Sequence, residues 1–154
     1  MTAVGSSIKS SPTRVLGIDY GSQRIGLALS DPLGIIAQSY DTLANTAEVS
    51  RRIAQLVVEL EVNLVVVGMP YNLKGERGQK AREVEDFVER LRREMTVDIV
   101  TWDERFTSRM ANATMMQMGT RKKERRANKG RIDAMAAALM LQSYLDSTKR
   151  SHSC

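Results

Sequence analysis

Two short apolar runs, Arg14 to Asp19 (RVLGID) and Ile25 to Ser30 (IGLALS), and a third candidate strand, Ile35 to Thr42, stand close together early in the chain. A Gly-Ser turn separates the first two, and Asp-Pro-Leu-Gly separates the second from the third. A parallel strand pair needs a crossover of a dozen residues or more, and neither gap is long enough. The runs therefore read as an antiparallel meander, and this limits the chain to sheet-based folds.

After the meander the pattern changes. Asn45, with Glu48 three residues on, resembles a capping box. Val49, Ile53, Leu56, Val57 and Leu60 then recur at helical spacing. Asn63 to Gly68 (NLVVVG) is continuously apolar and β-branched, as in a central parallel strand. A loop from Pro70 to Gly78 leads to a second helical pattern at Ala81, Val84, Val88, Leu91 and Met95. Val97 to Trp102 is the next strand, Thr107 to Met118 a short Met-rich helix, and Ile132 to Leu145 the closing helix. Strands that alternate with helices after a meander predict an α/β fold. Its sheet is mixed and five-stranded, with the first three strands antiparallel and helices on both faces.

The 154 residues suit one domain with a substantial core. We expect that domain over 14–146, with a polar, Ser-rich flexible leader at 1–13 and a polar tail at 147–154. The leader has no apolar core of a signal peptide, and no run is long enough for a membrane span. The only cysteine is Cys154, so no internal disulfide forms, and a cytoplasmic protein is expected. The only histidine is His152, close to the end. Ser-His-Asp and Cys-His catalysis and His/Cys zinc sites are thereby disfavoured. Hydrolysis would fall to carboxylates, metal or both.

Asp19 closes the first strand, Asp103-Glu104-Arg105 follows the last, and Asp133 lies at the start of the closing helix. Each has an ordinary explanation. Asp19 could bond the turn backbone. Asp103 could cap a helix or pair with Arg105. Asp133 could favour a helix dipole from the first turn. Yet Asp133 shares a face with Ala136, Ala137 and Met140, small enough to let the helix approach the sheet. Carboxylates grouped at strand ends repel unless a cation joins them, and Mg²⁺ or Mn²⁺ prefers such oxygen donors. Trp102 reads as a packing residue, with base stacking as the alternative. The methionines at 110, 115, 116 and 118 read as core filler.

The net charge of +5 is concentrated. Seven cations (Arg121, Lys122, Lys123, Arg125, Arg126, Lys129 and Arg131) stand against Glu124 alone, a segment charge of +6. The segment has no apolar residue but Ala127, and its like charges repel. A mobile clamp for the phosphate backbone is expected, in which Arg121, Lys122, Lys123, Arg125, Arg126 and Lys129 bind nucleic acid.

Four stretches carry a family resemblance. GIDYGSQRIGLALSD (Gly17 to Asp31), VVGMPYNLKGERG (Val66 to Gly78), DERFTS (Asp103 to Ser108) and IDAMAAALMLQSYL (Ile132 to Leu145) resemble, in order, the motifs of the YqgF family. That family comprises pre-16S rRNA nucleases and Holliday junction resolvase-like proteins. Phe106 stands where Leu is usual, and Ser108 replaces Thr. The resemblance implies an RNase H-like fold and a metal-dependent nuclease that matures the 5′ end of 16S rRNA. Resolvase-like action on branched DNA is the alternative. It also implies Asp19, Glu104 and Asp133 as catalytic metal ligands for Mg²⁺ or Mn²⁺. Asp31 and Asp103 are candidates for a fourth acid, and nucleic acid and ribosomal particles are the expected partners. A different class remains open, a non-catalytic module that binds rRNA or ribosomes through the basic segment. The Asp19-Tyr20-Gly21-Ser22 turn also resembles the phosphate turn of actin-like ATPases, but those need two such domains and this length holds one.

Overall fold

The computed structural model describes residues 13–71, 78–107 and 129–152, with side chains over 132–148 in the last segment. The leader, the Met-rich helix and nearly all of the basic segment lie outside the described residues. In chain order the elements are β1 (Val15–Asp19), β2 (Arg24–Ser30), β3 (Ala37–Ala44), α1 (Val49–Glu59), β4 (Leu64–Met69), α2 (Gln79–Glu94), β5 (Asp98–Asp103) and α3 (Lys129–His152). A single 3₁₀ turn, Glu104–Phe106, follows β5. Among the described residues no helix is long and apolar enough to cross a membrane.

The strands form one sheet in the order β3-β2-β1-β4-β5. β1–β2 and β2–β3 are antiparallel, and β1–β4 and β4–β5 are parallel. This is the mixed sheet that the connection lengths predict. Both faces are covered. Leu16, Ile18, Ile25, Leu27, Val65 and Val67 pack beneath α1 and α2. Val15, Ala28 and Val66 meet Ala137, Met140, Leu141 and Leu145 of α3 on the other face. Double-sided burial explains why β4 reads as an unbroken apolar run. At the edge, β3 is largely exposed, and Gln142 of α3 ties its start by accepting from the Ala37 amide.

Two expectations need correction. The Asn45–Glu48 capping box does not form: α1 begins after Glu48 with no side-chain cap bond. Asn45 instead donates from Nδ2 to the Gly21 carbonyl at 2.8 Å, and its amide bonds the Gln23 carbonyl. The second correction is that α3 starts at Lys129, before Ile132, and runs to His152. Asp133 is thus past the first turn, so the helix dipole does not account for it. Past Leu145 the polar residues fit the helix because Ser147 and Thr148 donate to the carbonyls of Tyr144 and Leu145.

Asp31 settles into a structural role. Its carboxylate accepts the amides of Leu33 (3.3 Å), Ile35 (2.7 Å) and Ile36 (2.8 Å), closing the β2–β3 turn. The Ile36 amide and its neighbours hold this carboxyl below the usual range. A depressed pKa gives stability that is present above the ordinary Asp range and lost as pH falls through the folded value. Asp31→Ala is expected to cost about 1 kcal/mol, the scale of a lost capping carboxylate. Acid titration of thermal melts should show that the variant lacks this part of the wild-type decline below about pH 4.

Candidate functional site

Strand alternation decides which acids can meet. Leu16 and Ile18 face α1 and α2 while Val15 faces α3, so Asp19 falls on the α3 side. By the same rule Arg24 and Gly26 of β2, and Gly68 of β4, look toward α3. In β5, Val100 and Trp102 pack on the α3 side, which turns Asp103 to the opposite face. Asp19 and β5 end at the same edge because β1, β4 and β5 are parallel, the edge where open α/β sheets place their sites.

Asp103 is committed elsewhere. It accepts the Arg105 amide at 2.9 Å and grips the Arg105 guanidinium, with Nη2 to Oδ2 at 2.6 Å. The hydrogen bonds from Arg105 hold its carboxyl below the usual range. By capping the 3₁₀ turn it brings the next residue, Glu104, back over the sheet. A Cβ on Gly68 would stand 2.6 Å from Glu104 Oε1, so the carboxylate lies where a larger residue would have its side chain.

Glu104 meets Asp19 there. Burial, the charge of Glu104 and a side-chain hydrogen bond between the two carboxyls push Asp19 up to about 7, with Asp133 adding to the effect and Lys80 opposing it. Two carboxyls brought this close repel when both are charged, so the pair favours a proton or a cation between them. Asp133 is close enough for its charge to act on Asp19, but it is engaged: Arg24 Nε donates to its Oδ2 at 2.8 Å. Among the described residues no three acids are gathered closely enough to hold a metal in common. Two of the three expected acids are therefore in contact, and the third stands beside them, held by an arginine.

The fourth-acid candidates are accounted for. Asp31 follows β2, which is antiparallel to β1, so it lies beyond the opposite edge of the sheet from Asp19. Asp103 is on the other face. Of the expected nucleic-acid contacts, 121–126 lie outside the described residues, and Lys129 begins α3. Trp102 packs edge-on against Phe106 and Tyr144, with centroids 5.4 and 5.6 Å away, in keeping with the packing reading. Sequence reasoning missed Arg24 and Lys80. Arg24 could have been found from alternation, since it shares a strand face with Gly26. Lys80, at the start of α2, carries no sequence signal.

The sequence model of the family described as "RuvX: Holliday junction resolvase" matches residues 13–147. The chain belongs to this family, also called YqgF. A member from Acetivibrio thermocellus, named for pre-16S rRNA nuclease function, is 41% identical over 138 residues, covering 87% of this chain and 96% of its own. One from Geobacillus kaustophilus with the same name is 39% identical over 140 residues, covering 88% and 99%. Among solved structures, T. thermophilus RuvC in complex with a Holliday junction substrate superposes with a TM-score of 0.57 at 15% identity, covering 88% of this chain and 96% of that one. The fowlpox virus resolvase with its junction DNA gives 0.56 at 10%, covering 88% and 99%. At such identities these neighbours establish the fold, which is RNase H-like, as the resemblance implied.

Proposed function

We propose that this chain is a divalent-metal-dependent nuclease that hydrolyses phosphodiester bonds in the 5′-end maturation of pre-16S rRNA. The observation that carries the reading is the half-buried Asp19–Glu104 pair at the parallel edge of the sheet, in a chain whose relatives are named for nuclease action on pre-16S rRNA. Asp19, Glu104 and Asp133 supply only carboxylate oxygens, the donor chemistry of Mg²⁺ or Mn²⁺. A divalent ion held there supplies Lewis acidity toward the phosphate and lowers the pKa of water. The residues themselves orient this chemistry. The 3₁₀ turn fixes Glu104, β1 fixes Asp19, and Arg24 governs whether Asp133 is available.

The family description favours a second substrate, branched DNA. A third reading, the non-catalytic rRNA- or ribosome-binding module, draws support from the Arg24–Asp133 pair, which occupies one acid. One assay separates them: cleavage of a pre-16S rRNA fragment and of a synthetic four-way junction, with Mg²⁺ or Mn²⁺ and with EDTA. Metal-dependent cleavage of the rRNA fragment at its 5′ side is expected. Cleavage of the junction alone would move the assignment to DNA. Tight binding with no cleavage of either would favour the binding module.

The basic segment is proposed to hold the nucleic-acid backbone. If Lys122, Lys123, Arg125 and Arg126 each meet a phosphate, together they contribute roughly −3 to −4 to the slope of log affinity against log salt. Replacing all four with Ala should flatten the slope by that amount and leave the thermal melt unchanged. An unaltered slope would place the nucleic-acid path elsewhere.

A further inference from the structure

A cleft of about 510 Å³ opens between the β1–β2 turn and the start of α2, and Asp133 forms part of its wall. Its cations are Arg24 and Lys80, and its acids are Glu83 and Asp133. The volume suits a nucleotide-sized group. The turn that forms one wall, Tyr20 to Gln23, is held in shape by Asn45, which binds the carbonyl of Gly21 through its side chain and that of Gln23 through its amide. The opposite wall is α2, a regular helix of 16 residues. The cleft is therefore built before any ligand arrives.

Its charges are poised to change partners. Lys80 is exposed and makes no ion pair among the described residues, yet its charge reaches Asp19. The Arg24–Asp133 pair is about one-third exposed on each side, and such pairs are worth only about 0–1 kcal/mol. A phosphate, which a guanidinium can grip with two parallel hydrogen bonds, competes well for Arg24. With Asp133 turned to a metal ion, the cleft retains two cations against Glu83. With Asp133 paired to Arg24, its lining is neutral.

We infer that this cleft is a phosphate subsite for the nucleic-acid strand beside the cleaved bond, with Lys80 and Arg24 as its cationic ligands. It rests on the nuclease reading for the identity of the polyanion. Arg24 exchanges Asp133 for phosphate, so it is a positioning residue for the metal site as well as a substrate ligand. Lys80 contributes a fixed second charge.

The test measures binding of a fluorescently labelled single-stranded pre-16S rRNA fragment to the full chain in EDTA across a salt series. Lys80→Ala and Arg24→Gln should each flatten the slope by about 0.7, the increment for one phosphate contact on a single strand. Lys80→Arg should retain the wild-type slope. Mn²⁺ affinity, followed by electron paramagnetic resonance without RNA, should be equal or tighter in Lys80→Ala, which removes a cation whose charge reaches Asp19, and in Arg24→Gln, where Asp133 loses its competitor. A wild-type slope in either Lys80→Ala or Arg24→Gln overturns the subsite. Weaker Mn²⁺ binding in Arg24→Gln overturns the exchange. Failure of the nuclease reading looks different: the wild type would then cleave nothing with Mn²⁺ while the slope differences persist.

Discussion

Asp19→Asn should lower the cleavage rate roughly a thousandfold, about 4 kcal/mol of barrier, while stabilising the metal-free fold. The loss follows from its place. Asp19 is the more desolvated member of the acid pair, and an amide there neither replaces the charge nor holds a divalent ion in the same way. The gain in stability follows from the same burial. Folding pushes this carboxyl from its ordinary range up to about 7, chiefly by desolvation and then by Glu104. The folded state therefore keeps its proton longer than the unfolded one. Stability in EDTA should fall as pH rises from about 4 through about 7. Asn carries no ionising group, so the variant should melt higher than wild type at pH 8 and lack that decline. Melting curves in EDTA at pH 5 and pH 8, run beside cleavage assays with Mn²⁺, check both halves. A variant that is both inactive and less stable at pH 8 would show that Asp19 holds the fold together and does not strain it.

Gly26→Ala should be strongly destabilising. The added Cβ would fall 2.1 Å from the Asp133 carbonyl oxygen and 2.4 Å from its carbonyl carbon, both backbone atoms of α3. No side chain can rotate away to relieve this, so the helix must lift from β2. Overpacking of a core commonly costs about 1–3 kcal/mol, and a backbone clash belongs at the upper end. At about 3 kcal/mol, a chain of this size would melt roughly 6 to 12 °C lower. Because the displaced turn carries Asp133, cleavage should fall too. Gly68→Ala makes a useful contrast. Its Cβ would meet the end of Glu104, a side chain that can swing aside. That variant should lose activity with a much smaller shift in melting temperature. Equal thermal shifts in the two variants would contradict the close packing of α3 on Gly26.

These outcomes show which parts of the site the sequence could express. The meander and the alternation that follow from Leu16, Ile18 and Asp19 are local, so the sheet and the side on which Asp19 lies follow from spacing. In the sequence only the resemblance favours Glu104 over Asp103. The physical reason is the odd-even rule along β5, which needs Trp102 assigned to one face before it can be applied. The side chain of Asn45 satisfies a carbonyl distant in sequence, and a three-residue pattern cannot reveal that partner. The start of α3 is not legible in the sequence because Lys129, Gly130 and Arg131 offer no apolar periodicity. The Arg24–Asp133 pair spans 109 positions and depends on the antiparallel register together with the docking of α3. Neither residue points to the other along the chain.

The central claim is that the acids at the parallel edge hold the divalent ion that makes this chain a nuclease. Titration of Mn²⁺ followed by electron paramagnetic resonance tests it most directly. The account predicts saturable binding to the wild type, weakened at least about tenfold in Asp19→Asn and in Glu104→Gln, the loss expected even for an outer partner of a ligand. Asp103→Asn, on the other face of the sheet, should bind far closer to wild type. Equal Mn²⁺ affinity in the wild type and an Asp19→Asn/Glu104→Gln double variant would contradict it.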